Sequence, residues 1–445
     1  MKHLARIVLV VCITGVLLAS EGCESRRGGT PSGRKRITLW HIHVTNPTRK
    51  VIEDAVGRFE GTHPDVAVQT EPTKNDDYKL KLSQAMASGT VPDVFFTWGG
   101  GVLKSFVDEH QVADLTRAIE SDNVTRRILP AALQFGTVRG KTYAVPMDVA
   151  PVVMWYNREM FEKHGIQVPR TFEELKSACA ELRKAGVTPI ALGNKEKWPG
   201  AFYFVYLATR IGGTQPFRDA ASRAPDGTFE DPCFIEAGRL LQELVKLKAF
   251  NEGANALTYD DARKLFAGEK AAMTLMGTWI LSDIRSDLQD ARGEAGRFLD
   301  KVDCFAFPAV TGGHGEPATV VGGINAAYAI SSRCPYPKEA FELLKELISD
   351  GTAMKWAQTG RIPALKREAV AGLLDAHTLR AAELLFDAPE IQLYYDQYLP
   401  PELGELHKST TQSLLAGTQT AEEAARTMEK LASELARKSK NDTSK

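Results

Sequence analysis

The sequence predicts an α/β protein built on parallel or mixed sheets. Three observations carry that expectation. Across residues 36–97, short apolar runs alternate with helix-period patterns, so strands at 36–44 and 66–68 are separated by helices at 47–59 and 78–88. Residues 93–101 (DVFFTWGGG) form a buried strand cut short by three glycines, after which Leu103, Phe106 and Val107 resume at helical spacing. The same device returns further on, where the apolar strand 271–276 ends in Gly277-Thr278-Trp279 and a helix follows.

Taken in order, the chain begins with a segment outside the fold. Lys2 and Arg6 precede an apolar run at 7–19, too short to span a bilayer comfortably and suited to a secretory signal covering 1–22. Small residues flank Glu21 just before Cys23, which resembles a bacterial lipoprotein signal in which Cys23 is lipidated and becomes the mature N-terminus. Glu21 departs from that motif, which carries a small or apolar residue there. Residues 23–35 are rich in glycine, serine and arginine with nothing to bury, and read as a lipidated tether.

In the first strand His41 and His43 share a face, but no acidic or cysteine ligand lies nearby, so they are expected to line a cleft or pack rather than hold a metal. Asn46 is expected to cap the next helix, with Pro47 in its first position. Residues 138–145 read as a hairpin turning at Arg139-Gly140. Prolines 146 and 151 bracket a short extended link that is expected to cross between domains. Thr171 and Glu174 form a capping box opening a helix whose apolar face carries Cys179. A loop at 193–198 leads into a very aromatic helix (Phe202, Tyr203, Phe204, Tyr206), and helices follow at 232–248 and 260–267. The glycine-rich run 308–323 contains neither GxGxxG nor GxxxxGK[ST], and reads as a hinge rather than a phosphate cradle. Beyond Pro337 the pattern is mainly helical, interrupted at 360–364 and by an aromatic knot at Tyr394, Tyr395 and Tyr398. A second capping box (Thr420, Glu423) opens the last helix, and 436–445 is a tail.

At 445 residues the chain is long enough for two or three domains. Its 55 basic and 56 acidic residues give a formal charge of −1, which argues against nucleic acid as the main partner. Cys12 leaves with the signal, and no remaining pair has metal-ligand spacing. Cys179 reads as core; a disulfide among Cys233, Cys304 and Cys334 is left open. Glycines after Trp98 leave backbone N–H groups, Gly100 among them, open to a ligand at the carboxyl end of a strand. An indole beside such donors suits a ring with an apolar face and a hydroxyl rim, such as a sugar. The residues alone leave Trp98 equally readable as a core aromatic.

Read together, these features resemble the extracellular solute-binding proteins of ABC transporters, in the carbohydrate-binding branch typified by maltose-binding protein. The resemblance covers residues 36–435. It rests on Pro92-Asp93-Val94 leading to Trp98, Tyr143-Ala144-Val145-Pro146 leading to Trp155-Tyr156-Asn157, residues 266–273 (FAGEKAAM) leading to Trp279, and Gly322-Gly323-Ile324-Asn325. Trp198-Pro199 and residues 360–364 (GRIPA) are similar to the oligosaccharide binders of that branch. The resemblance implies a two-lobed periplasmic-binding-protein fold, each lobe a mixed sheet flanked by helices, with the ligand cleft at the hinge. It implies an N-terminal lobe of 36–147 and 323–370 and a C-terminal lobe of 148–322 and 371–435. Trp98 would line the first lobe and Trp198 and Trp279 the second, with Asp148 at the crossover and Arg361 on its loop as hydroxyl partners; Gly100, His43, Asn46 and Asn325 complete the expected ligand-binding set. Val44-Thr45-Asn46 stands where the maltose-binding pattern has a charged pair, which puts maltose itself in doubt. The implied protein is an exported, periplasmic or cell-surface monomer without cofactor or metal, whose partners are an oligosaccharide, ABC permease subunits and the membrane through its lipid anchor. Two other classes remain open from sequence: an exported glycoside-acting enzyme, which needs two facing carboxylates, and a binding protein for a non-sugar solute such as a polyamine, metal or phosphorylated sugar.

Overall fold

The computed structural model describes residues 33–122, 126–288 and 294–443. The expected signal, Cys23 and most of the tether lie outside the described residues. Among those described, no helix is long and apolar enough to cross a membrane.

Two hydrophobic cores organise the chain. The first gathers Ile37, Phe59, Phe95, Val149, Ile324 and Ile362 with their neighbours; the second gathers Val152, Trp155, Tyr203, Leu241, Met273 and Leu414. A single sheet path runs through both. Its order is Val66–Pro72, Lys35–His41, Val94–Thr97, Val320–Ile330, Ala144–Asn157, Ala271–Gly277 and Thr188–Ile190. The first three strands are mutually parallel, as are the last two, while Val320–Ile330 and Ala144–Asn157 pair antiparallel with their neighbours along the path. The sheet is therefore mixed, one of the two arrangements the alternating pattern predicts.

Ala144–Asn157 is the strand that joins the lobes. Its first half pairs with Val320–Ile330 in the first lobe, and from Val152 onward it pairs with Ala271–Gly277 and Val302–Phe305 in the second. All fourteen of its residues are buried, which explains why it reads as an almost unbroken apolar run around one carboxylate, Asp148. The helix Ala376–Phe386 packs on both cores, giving Ala381 to the second and Ala382 and Leu385 to the first.

Local chemistry sets most element ends. The Thr171–Glu174 and Thr420–Glu423 capping boxes form, each with reciprocal backbone bonds. A further box, Thr258 with Asp261, opens the helix Tyr259–Ala267. The 137–142 hairpin turns at Arg139 and Gly140, both at positive φ, as a two-residue primed turn requires. Asn46 does not cap its helix: Pro47 holds that position without a side-chain cap, the helix runs Thr48–Thr62, and Asn46 is exposed. The run before Thr319 is clamped rather than loose. Buried Arg210 donates to the carbonyls of Phe307 and Thr319, at 3.0 and 2.8 Å. The four cysteines from Cys179 to Cys334 are free and buried.

Candidate functional site: a cavity between the two lobes

A cavity of about 500 Å³ lies where the lobes face each other, within the range of small-molecule sites. Its two walls differ in chemistry.

The second-lobe wall is aromatic. Trp198 opens the helix Trp198–Gly212, and the Asn194 carboxamide accepts the Gly200 N–H at 2.8 Å to fix that turn. Trp279 opens the helix Trp279–Leu288. A Cβ at residue 277 would stand 2.0 Å from the Trp279 ring, so Gly277 is what lets the indole fold back over the strand end. Trp198 and Trp279 meet at 6.2 Å between centroids, Trp198 and Tyr259 at 5.2 Å, and Phe202 and Tyr394 at 5.3 Å. Tyr259 donates its hydroxyl to Asp283 at 2.8 Å, and Arg263 grips Asp287 with two bonds of 2.7 and 3.0 Å. Burial opposes the charge on Arg263, but Tyr259 and the two aspartates outweigh it and raise its pKa. Burial also raises the Glu196 carboxyl above its usual range, against the Tyr259 N–H that it accepts at 3.0 Å. Trp198 Nε1 is buried without a protein partner.

The first-lobe wall is polar. His43 is 3% exposed, lies edge-on to Trp356 at 4.9 Å, and has no partner at Nε2. Burial, then the Arg361 charge and His41, hold its pKa well below the ordinary histidine value, so the ring is neutral. Asn325 sits where the pairing of Val320–Ile330 with Ala144–Asn157 slips, an irregularity that turns its side chain to the cavity. From there Asn325 donates to Asp148 Oδ2 at 3.0 Å, and Trp356 Nε1 donates to the same oxygen at 3.1 Å. Asp148 is 1% exposed; burial raises its pKa against the pull of Arg361, Asn325 and Trp356.

Of the expected set, His43, Trp98, Trp198, Trp279, Asn325 and Arg361 line the cavity. Asp148 lies behind the wall, and Asn46 is off it. Gly100 is off it too, for a reason sequence could not supply. Gly99 and Gly100 do take positive φ, but a Cβ at residue 100 would stand 2.3 Å from the Gln397 carbonyl, and one at residue 101 would stand 2.4 Å from that of Leu399. The glycine turn admits neighbouring backbone, not a ligand. Trp98 reaches the cavity but is only 8% exposed, edge-on to Phe96 at 4.8 Å, with Lys79 Nζ 5.1 Å from its ring centre. Sequence reasoning missed Tyr259, Glu196, Asp283 and Lys79. A signal existed only for Tyr259, which lies inside the Thr258–Asp261 box, directly after its cap. Among the described residues no group of histidines, cysteines or carboxylates could hold a metal.

The pattern that defines the bacterial extracellular solute-binding proteins matches residues 44–354. This chain belongs to that family. A solved protein from work on xylan utilization by Caldanaerobius polysaccharolyticus superimposes with a TM-score of 0.82 at 30% identity, covering 89% of this chain and 99% of that one. A chitin oligosaccharide binding protein also gives 0.82, at 23% identity over 90% and 98% of the two chains, and shares the fold. In sequence, this solute-binding protein is 23% identical to the melibiose/raffinose/stachyose-binding protein of Bacillus subtilis over 420 residues, spanning 94% of this chain and 92% of the relative. It is 25% identical to the multiple sugar-binding protein of Streptococcus mutans over 360 residues, 78% and 79% of the two.

Proposed function

We propose that this protein captures a neutral oligosaccharide between its lobes, leaves it chemically unchanged, and delivers it to the permease of an ABC importer. The observation that carries the reading is an aromatic wall (Trp198, Tyr259, Trp279) facing hydrogen-bonding groups (His43, Asn325) across one cavity. Aromatic faces meet the C–H faces of a pyranose, while amides and imidazole select hydroxyls by direction. The names of the relatives support the same class of ligand. In this reading the lobes comprise 36–147 with 323–370 and 148–322 with 371–435, a division the two cores support, although the joining strand stays in the first core as far as Val149 and the helix Ala376–Phe386 packs on both. The protein acts as an exported monomer; its export and its tether through lipidated Cys23 are supported by the sequence of the leader alone.

The test uses protein lacking residues 1–32 and a panel of raffinose, stachyose, xylotetraose and chitotetraose. At least one binds with a change in tryptophan fluorescence and a raised melting point, since a ligand of the native state stabilises it. Chromatography of the recovered sugar finds it intact. Hydrolysis products, or binding confined to amines or sugar phosphates, would overturn the proposal. Mass of the full-length protein from a bacterial membrane fraction tests the lipid on Cys23.

A further inference from the structure

The second-lobe wall is held from across the cavity. Arg361 lies on the loop between the helix Asp350–Gln358 and the strand Ile362–Pro363, and that strand pairs with Val149 and Asp148 in the first lobe. Its guanidinium nevertheless turns to the helix Trp279–Leu288, whose Ile280, Leu281 and Ile284 belong to the second core. Nε donates to Ser282 Oγ at 2.8 Å, and Nη2 lies 3.5 Å from Asp283 Oδ1. Ser282 Oγ in turn donates to the Trp279 carbonyl at 2.8 Å, and Asp283 Oδ2 receives the Tyr259 hydroxyl, also at 2.8 Å. One side chain of the first lobe is thus one residue removed from the backbone of Trp279, through Ser282, and from the hydroxyl of Tyr259, through Asp283.

The rest of the loop is shaped for this approach. Gly360 takes φ +89°, and a Cβ there would stand 2.0 Å from Arg285 Nη1 and 2.9 Å from Leu281 Cβ. Only glycine lets the loop press so closely on the opposing helix. On its other side the guanidinium lies 5.7 Å from the Trp356 ring centre, and Nη1 is 3.8 Å from Asp148 Oδ2. Asp148 already has its two shorter bonds from Asn325 and Trp356, so the Arg361 bond that depends on the lobes being together is the one to Ser282.

We infer that Arg361 is a positioning residue, tying the first lobe to the helix that presents Trp279 and so slowing the escape of bound sugar; this rests on the reading of the cavity as a sugar site. A contact made only when the lobes meet favours that arrangement by its own free energy and is lost on opening. It therefore acts on release more than on capture. The planar fork matters, because a lysine carries all its donors on one atom and cannot match the spacing at which Nε meets Ser282 and Nη2 meets Asp283.

Stopped-flow fluorescence with the panel sugar that binds gives the test. Arg361→Gln raises the release rate about tenfold, the scale of one lost hydrogen bond to a charged group, while the association rate stays within about twofold. Ser282→Ala, which removes the acceptor and leaves both charges in place, raises it in the same direction and serves should Arg361→Gln fold poorly. The pair together exceed the Arg361→Gln effect by less than about twofold, and Arg361→Lys falls between wild type and Arg361→Gln. Unchanged release, a loss confined to association, or effects that multiply across the pair would overturn the inference. If no panel sugar binds the wild type, the sugar reading fails instead. The positioning role is then read from energy transfer between dyes on the exposed faces of the helices Thr48–Thr62 and Pro232–Lys246. Arg361→Gln shifts that distance distribution outward; an unshifted distribution overturns the role.

Discussion

The two tryptophan–glycine turns look alike in sequence and are built in opposite ways. In the first lobe the indole comes first and the glycines follow; their missing Cβ atoms make room for the carbonyls of Phe135, Gln397 and Leu399, and Trp98 ends up nearly buried. In the second lobe the glycine comes first, and the space it leaves is filled by the Trp279 ring itself, which remains partly exposed on the cavity wall. One turn is an anchor for packing. The other is a mount for a ligand-facing ring. What separates them is which group enters the space a side chain would have taken: backbone carbonyls from elsewhere in the fold in one, the ring two residues on in the other.

The largest expected effect tests the anchor. Trp98→Ala removes a ring held among Phe96 and Tyr78 and lowers stability in denaturant unfolding by about 3–5 kcal/mol, whereas Trp279→Ala costs clearly less. Equal losses would erase the contrast. Next, Gly100→Ala sets a Cβ against the Gln397 carbonyl at positive φ, where backbone cannot easily yield, and costs about 2–3 kcal/mol of stability. Gly277→Ala instead displaces the Trp279 ring, so sugar affinity falls more than the melting point does. On the mount side, Trp279→Ala and Trp198→Ala each weaken sugar binding by about 2 kcal/mol, roughly thirtyfold, measured by calorimetry.

The smallest effect reads each lobe separately by acid. Burial, then the Arg49 charge, depresses the His41 pKa to about 4. In the second lobe burial, then Lys408, depresses that of His407 to about 3. A depressed folded pKa means that the unfolded chain takes up the proton first. The stabilisation is therefore complete above the unfolded value of about 6.5 and fades as the pH falls toward the folded value. Melting points decline from pH 6.5 to 4. His41→Gln makes that decline shallower, and His407→Leu does so independently; a slope unchanged in both would show that these rings do not remain neutral.

What the sequence determined by itself is whatever chemistry acts over a few residues. The Thr171 and Thr420 boxes, the Arg139-Gly140 turn, the buried face of Cys179 and the strand–glycine–helix units all depend on partners three or four positions away, or on a period. The alternation of strands and helices indicated the α/β class for the same reason. Only the tertiary structure decided which residues face the cavity, because its walls come from segments as far apart as His43 and Tyr394. Asp148 reads as a crossover carboxylate in sequence and is a buried acceptor for Asn325 and Trp356, 177 and 208 positions away. Gly100 reads as an open donor and is closed by a backbone segment near residue 397. Arg361 reads as a free hydroxyl partner, yet it is held by Ser282 across 79 positions of sequence. Side-chain identity states what a group can bond to. Which partner arrives first is settled by how the two lobes pack, and no local pattern encodes that.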